Sequence, residues 1–189
     1  MGNTTPQPDA QSLRAELVGI ERTRQAAVAA QWAQENGCVI DMFGSFARER
    51  HLLLFQSGNE CENWIDTSTN LVYKMNMLVH VGGDILKLFK RIDLYNELFP
   101  ATALHFVGFH LSGVANAYPI FSQPFVDGAR FATEEEISLY MQTRGFAPLN
   151  EDGVFANEHV VLRDIKPKNV LFLEDEGAVF VIDADVEEL

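Results

Sequence analysis

The sequence predicts an α+β fold built on antiparallel strands, and three observations point to it. Short strand-like runs separated by turn residues fill Leu52 to Met77 and return from Val154 to Asp185. Two segments between those stretches carry helix start and stop residues instead, one opening at Asp84 and one at Thr133. A third helical pattern occupies residues 12–36, ahead of all the strands. At 189 residues the chain suits one domain, or a small domain with an appendage.

Taken in order, residues 1–11 are rich in Thr, Pro, Gln and Asn and predict a disordered tail. Leu13, Leu17, Ile20, Ala27 and Trp32 recur at near-helical spacing and Gly37 is a natural stop, so a long amphipathic helix is expected, within a helical extension over residues 12–50. Phe46 to Leu54 adds a helical turn or two. Thr67 to Asn70 is a turn between the strands Cys61 to Asp66 and Leu71 to Met77, with another strand before Gly58. Val79 to Gly83 reads as a loop. Asp84 caps a helix that must end before Pro100, because the residue preceding a proline is driven out of the helical region. Leu104 to Leu111 and Tyr118 to Val126 are strands. Thr133 and Glu136 form a capping box for the next helix, with Gly145 near its end, and Glu174 to Gly177 turns a final hairpin.

Charge narrows the function. Fourteen basic against 27 acidic residues leave a net charge of -13, which argues against binding nucleic acid backbone or an anionic membrane surface. Cys38 and Cys61 cannot make a disulfide framework or a four-cysteine zinc site. No apolar run is long enough to span a bilayer, the N-terminus lacks the blocks of a secretion signal, and a cytoplasmic location is expected. The five histidines show no metal-site spacing, so His105 and His110, on an apolar strand, are read as packed residues.

The chemistry concentrates in Val160 to Leu173, VVLRDIKPKNVLFL, and in Val179 to Asp185, VFVIDAD. An apolar strand delivers Asp164 into a proline-containing loop. Asn169 opens the next strand, and a hairpin later Asp183 ends a third. Phosphoryl transfer asks for this layout: one carboxylate receives the acceptor hydroxyl's proton, while an amide and a second carboxylate hold magnesium on the nucleotide phosphates. The competing reading makes Asp164, Asn169 and Asp183 ordinary loop caps after strands.

With those residues in view, the chain resembles the protein-kinase-like domain of polyvalent proteins, carried by phages and conjugative elements. LRDIKPKN stands where that fold has H-R-D-L-x-x-x-x-N, and DAD stands where it has D-F-G. GNE at Gly58, VYK at Lys74, RIDLYNELFP from Arg91, GFH at Gly108, QPFVDG from Gln123 and EEISLYMQTRGF from Glu135 follow the family's order. The resemblance implies a minimal kinase-like fold: a sheet with one helix and a hinge over residues 51–126, and a strongly reduced second lobe over residues 127–189. It implies ATP and Mg2+ as cofactors and an unknown protein or small molecule as acceptor. Asp164, Lys166 and Asn169 would be catalytic, and Asn169 and Asp183 would hold the metal. Lys74 would touch the phosphates, paired with Asp93 or Glu97, between which the sequence does not choose. Gly58 and Glu60 would lie over the nucleotide, and Gln123 and Phe125 would sit at the base-reading hinge. Against the role of Lys74 stands an edge-strand lysine turned to water.

The chain also departs from that pattern. It has no G-x-G-x-x-G, having Ser57-Gly58-Asn59-Glu60 instead, and Leu162 takes the place of the catalytic-loop histidine. Only Val186 to Leu189 follow Asp185, so an activation segment and a large helical lobe are not expected. Two alternatives therefore accompany the kinase: a nucleotide-binding scaffold without turnover, and an acidic interaction protein imitating nucleic acid charge.

Overall fold

The computed structural model describes residues 9–57, 61–113, 116–149 and 152–189. It is mixed α and β, and it separates into two compact units, Met1–Lys90 with Leu104–Phe125, and Arg91–Ala103 with Val126–Leu189.

The first unit holds a five-stranded antiparallel sheet. Its strands are β1 (Leu53–Ser57), β2 (Cys61–Asp66), β3 (Leu71–Asn76), β4 (His105–Ser112) and β5 (Asn116–Pro124), arranged in the order β1-β2-β3-β5-β4. The turn between β2 and β3 closes on Asp66, buried to 1% exposure, whose Oδ1 accepts from the Ser68 amide and hydroxyl and from the Thr69 amide. Burial pushes the Asp66 carboxyl up, but these hydrogen bonds outweigh it and hold it below its ordinary range.

The central strands pack on both faces, since adjacent strand residues point to opposite sides, whereas Leu53, Leu54 and Phe55 of β1 stay exposed. Ile120 and its neighbour Phe121 show this directly. Ile120 joins a core with Met42, Trp64, Tyr73 and Met75, whereas the Phe121 ring lies 5.8 Å from Phe89 and 5.9 Å from Phe106. The first face is covered by the short helix α3 (Ser45–Glu49) and its flanking segments, through Phe46, Ile40 and Leu52. The second carries α1 (Ala10–Leu17), α2 (Arg22–Glu35) and the start of α4 (Ile85–Leu98), the helix that Asp84 caps through Lys87 N–H at 2.8 Å.

The long helix expected over residues 12–36 is in fact α1 and α2, and α1 already includes Ala10 and Gln11 of the expected tail. Gly19 breaks it with a φ of +80°, a conformation that costs glycine little. The break folds α1 against α2, so Leu13 and Leu17 become as fully buried as Ala29 and Ala33, and Trp32 Nε1 reaches Ser12 Oγ at 3.2 Å. A straight helix would have left one of those apolar stripes in water. Gln25, which no periodicity singles out, is buried to 4% and its Oε1 accepts the Leu86 N–H at 3.1 Å, tying α2 to the first turn of α4.

Residues 38–40 run beside β4: Phe109 N–H donates to Cys38 O at 3.0 Å and Ile40 N–H to Phe109 O at 2.8 Å. Gly108 permits this approach, since a Cβ there would stand 2.3 Å from the Cys38 carbonyl oxygen. The stretch before β1 is therefore part of the sheet's construction rather than an extension added to it.

The second unit contains α5 (Glu134–Thr143) and two small sheets. One is ordered β11-β10-β6, from β6 (Arg130–Phe131), β10 (Val170–Leu173) and β11 (Ala178–Val181). The other is ordered β12-β9-β8-β7, from β7 (Ala147–Pro148), β8 (Phe155–Ala156), β9 (Val160–Arg163) and β12 (Asp185–Glu188). The capping box of α5 is formed as expected, with Thr133 N–H donating to Glu136 Oε2 at 2.8 Å and Glu136 N–H to Thr133 Oγ1 at 3.3 Å. Arg130 completes it, forking onto both Glu136 oxygens at 2.7 and 2.9 Å and donating from Nε to Glu174 at 2.8 Å. Among the described residues, no helix is long and apolar enough to cross a membrane.

Two outcomes test this packing. Gly108→Ala must push the Cys38 strand away, and chemical denaturation should show a loss of about 1–3 kcal/mol; unchanged stability would mean that the close approach is not a constraint. Hydrogen bonds from Arg130 and then Thr133 hold the Glu136 carboxyl down to about 2 from an ordinary 4.5. Because the folded value is the lower one, its contribution is complete above pH 4.5 and is lost as pH falls towards 2. Thermal melts across that window should show a decline that Glu136→Gln lacks.

Candidate active site

Two ladders in the second unit bring the motif residues together. β9 ends at Arg163, which pairs with Asp185 of β12; β10 begins at Val170, which pairs with Val181 of β11. Asp164 and Asn169 lie in the loop between β9 and β10, and Asp183 lies in the link between β11 and β12. The Ile182 N–H extends the β10/β11 ladder by donating to the Asn169 carbonyl at 2.9 Å. Asp183 is thus one residue from a hydrogen bond to Asn169 and two from the partner of Arg163. The pairing by β12 was not legible beforehand, since Val186 to Leu189 read as a remnant.

Within the loop, Asp164 holds a φ of +58°, a region that Asp occupies more readily than most side chains. Asn169, 8% exposed, supports it from inside, with Nδ2 donating to the Asp164 carbonyl at 2.9 Å and to its Oδ2 at 2.7 Å. These two acceptors dictate the amide's orientation. They leave Asn169 Oδ1 with no hydrogen bond among the described residues. The Asp183 carboxylate is exposed and makes no hydrogen bond or ion pair among the described residues. Ile165 anchors the loop, buried to 2%, its N–H donating to Gly153 O at 3.0 Å.

The two lysines of the loop meet different carboxylates. Lys166 Nζ meets Asp152 at 3.5 Å, and it is Lys168 that meets Asp164 Oδ2, at 3.2 Å. The i,i+4 spacing of Asp164 and Lys168 was the signal that could have found this pair. Leu162, in the position of the usual histidine, is completely buried between β8 and β12 partners. A pocket of about 330 Å³ opens beside the loop, lined by Ile165 and Pro167 together with Glu134, Asp152, Val154 and Phe155.

Lys74 stands in the first unit, on β3, an interior strand rather than an edge. It is half-buried and registers with Phe121, so it shares the sheet face on which Phe121 meets Phe89 of α4. Gln123 pairs with Val72 and is buried to 2%, and the Phe125 N–H donates to Asn70 O at 2.9 Å. Asp93 and Glu97 both lie on exposed positions of α4, in the part that belongs to the second unit. Gly58 and Glu60 lie outside the described residues.

Oxygen donors of this kind suit magnesium, which takes one or two carboxylate or carbonyl groups and keeps several waters. No group of three or more His, Cys, Asp or Glu side chains placed to hold a metal ion occurs among the described residues. The model of a family described as serine/threonine/tyrosine kinase found in polyvalent proteins matches residues 22–187. No curated protein and no solved structure gives a significant match.

Truncating Asn169 tests the support of the loop. Asn169→Ala removes two hydrogen bonds, one to a partly exposed carboxylate, and should cost about 1–2 kcal/mol, with faster amide exchange at Ile165 and Lys166. Exchange and stability equal to the unsubstituted chain would show that Asn169 does not hold Asp164.

Proposed function

The chain belongs to the family of serine/threonine/tyrosine kinases found in polyvalent proteins, and we propose that it is an ATP- and magnesium-dependent phosphotransferase passing a γ-phosphoryl group to a hydroxyl of a protein or small molecule. The observation that carries this reading is the Asn169 amide. By spending its N–H groups on Asp164, it leaves its side-chain oxygen with no hydrogen bond among the described residues, in a residue whose backbone carbonyl accepts from Ile182, the neighbour of Asp183.

In this reading Asn169 Oδ1 and Asp183 hold the metal, which supplies charge neutralisation on the phosphates. Asp164 orients the acceptor hydroxyl and takes up its proton, a role suited to a carboxylate fixed at the mouth of a buried loop. Lys168 and Lys166 both extend from that loop to offset phosphoryl charge, the former already beside Asp164. Lys74, lifted off the solvent side by its interior strand, is assigned to the nucleotide phosphates, with Asp93 or Glu97 as its carboxylate. Gln123 and Phe125 are assigned to the hinge, and the pocket beside Ile165 and Pro167 to the acceptor.

A nucleotide-binding module without turnover is the second reading. The fully buried Leu162 favours it, because no imidazole supports the loop from that position.

Transfer of labelled γ-phosphate to the chain itself and to a panel of hydroxyl acceptors discriminates the two. Asp164→Ala should lower the rate by roughly 100-fold or more, and Asp183→Ala should abolish it together with the rise in melting temperature that ATP and Mg2+ produce. Ligand-induced stabilisation without transfer by the unsubstituted chain selects the module without turnover. No stabilisation at all would overturn both.

A further inference from the structure

Three side chains from α4 and the turn that follows it grip the segment carrying Asp183, and none of them belongs to the catalytic motifs. Tyr95 Oη donates to the Val181 carbonyl at 2.6 Å. Thr102 Oγ1 reaches the same carbonyl, also at 2.6 Å, and lies 3.1 Å from Tyr95 Oη. Arg91, one helical turn before Tyr95, places Nη1 3.2 Å from Asp185 Oδ1. The grips fall at residues 181 and 185, two residues on either side of Asp183. All of these residues belong to the second unit.

Packing alone does not call for this chemistry. Tyr95 and Thr102 are 2% and 1% exposed, and Phe and Val would fill the same volumes without polar atoms to satisfy. Arg91 Nε is buried with no hydrogen-bond partner, a cost that a purely structural residue at this position could avoid. Two hydroxyls on one carbonyl instead fix a single peptide group, the one that begins the approach to Asp183. The Arg91 ion pair fixes the departure.

We propose that Arg91, Tyr95 and Thr102 are positioning residues that hold the Asp183 carboxylate in place for the metal and so set metal-dependent nucleotide affinity; this rests on the reading of Asp183 as a metal ligand. They touch neither metal nor substrate, and they act through the backbone of residues 181–185.

Calorimetric titration of the full chain with ATP, once in EDTA and once in Mg2+, reads the effect. Tyr95→Phe/Thr102→Val should weaken binding in Mg2+ by about tenfold, the usual scale for losing partners behind a ligand, and leave binding in EDTA unchanged. Tyr95→Phe alone serves if the double variant does not fold. Arg91→Met should lose the magnesium enhancement, and Arg91→Lys should restore part of it. Hydrogen exchange of the nucleotide-free protein provides a readout without any ligand: the Ile182 amide should exchange faster in each weakened variant. Lowered melting temperatures with the magnesium enhancement intact, or unaltered Ile182 exchange, would reduce these residues to structural ones and overturn the inference. An unsubstituted chain that binds ATP equally in EDTA and Mg2+ would overturn the metal-ligand reading itself.

Discussion

The hydrogen bonds from Asn169 to Asp164 are the constraint from which the rest of the site follows. Asp164 sits in a left-handed backbone conformation that costs roughly 1–2 kcal/mol for a residue with a side chain. A buried amide donating to its carbonyl and its carboxylate returns a comparable amount. The near balance has a purpose in the geometry. The amide that stabilises the strained turn spends its N–H groups on it and leaves its oxygen with no hydrogen bond among the described residues. The two ladders supply the frame, because the loop cannot shift without breaking the pairing of Arg163 with Asp185 or of Val170 with Val181.

The first unit shows a different kind of control. The central strands of its sheet pack on both sides, so the identity of each residue there decides which core it joins. Tyr73 and Met75 enter the core with Trp64 and Met42, and Lys74 between them is turned to the aromatic side. A lysine there can lay its long stem against apolar surface. An edge strand would have placed the same residue in water with no defined position.

Much of this was legible in the amino-acid order wherever the signal is local. The capping box at Thr133 and Glu136, the turn at Thr67 to Asn70 and the stop before Pro100 each depend on a few neighbouring residues, and the elements lie where those residues place them. The placing of Asp164, Asn169 and Asp183 at strand ends is likewise local, with the first two in the loop between β9 and β10 and the third in the link between β11 and β12. What could not be read depends on tertiary pairing. Gly19 looked like an interior position of a long helix because Leu17 and Ile20 kept the period across it, and only the shared core makes the break favourable. β12 carries Asp185, Glu187 and Glu188, which look like a solvated end until β9 supplies a partner. Arg91, Tyr95 and Thr102 are separated from Val181 and Asp185 by about eighty or ninety positions, and no spacing rule spans that distance.

The backbone link between Cys38 and Phe109 changes how the protein should be dissected. A version trimmed to begin at Leu52 would keep every motif residue, yet it would strip Trp32 from Phe106 and Arg14 from Phe89 and leave the outer rim of β4 with unsatisfied peptide groups. Such a fragment would invite self-association before it could display any chemistry. The smallest piece worth expressing therefore includes the two opening helices, and the motif residues cannot be transplanted without them.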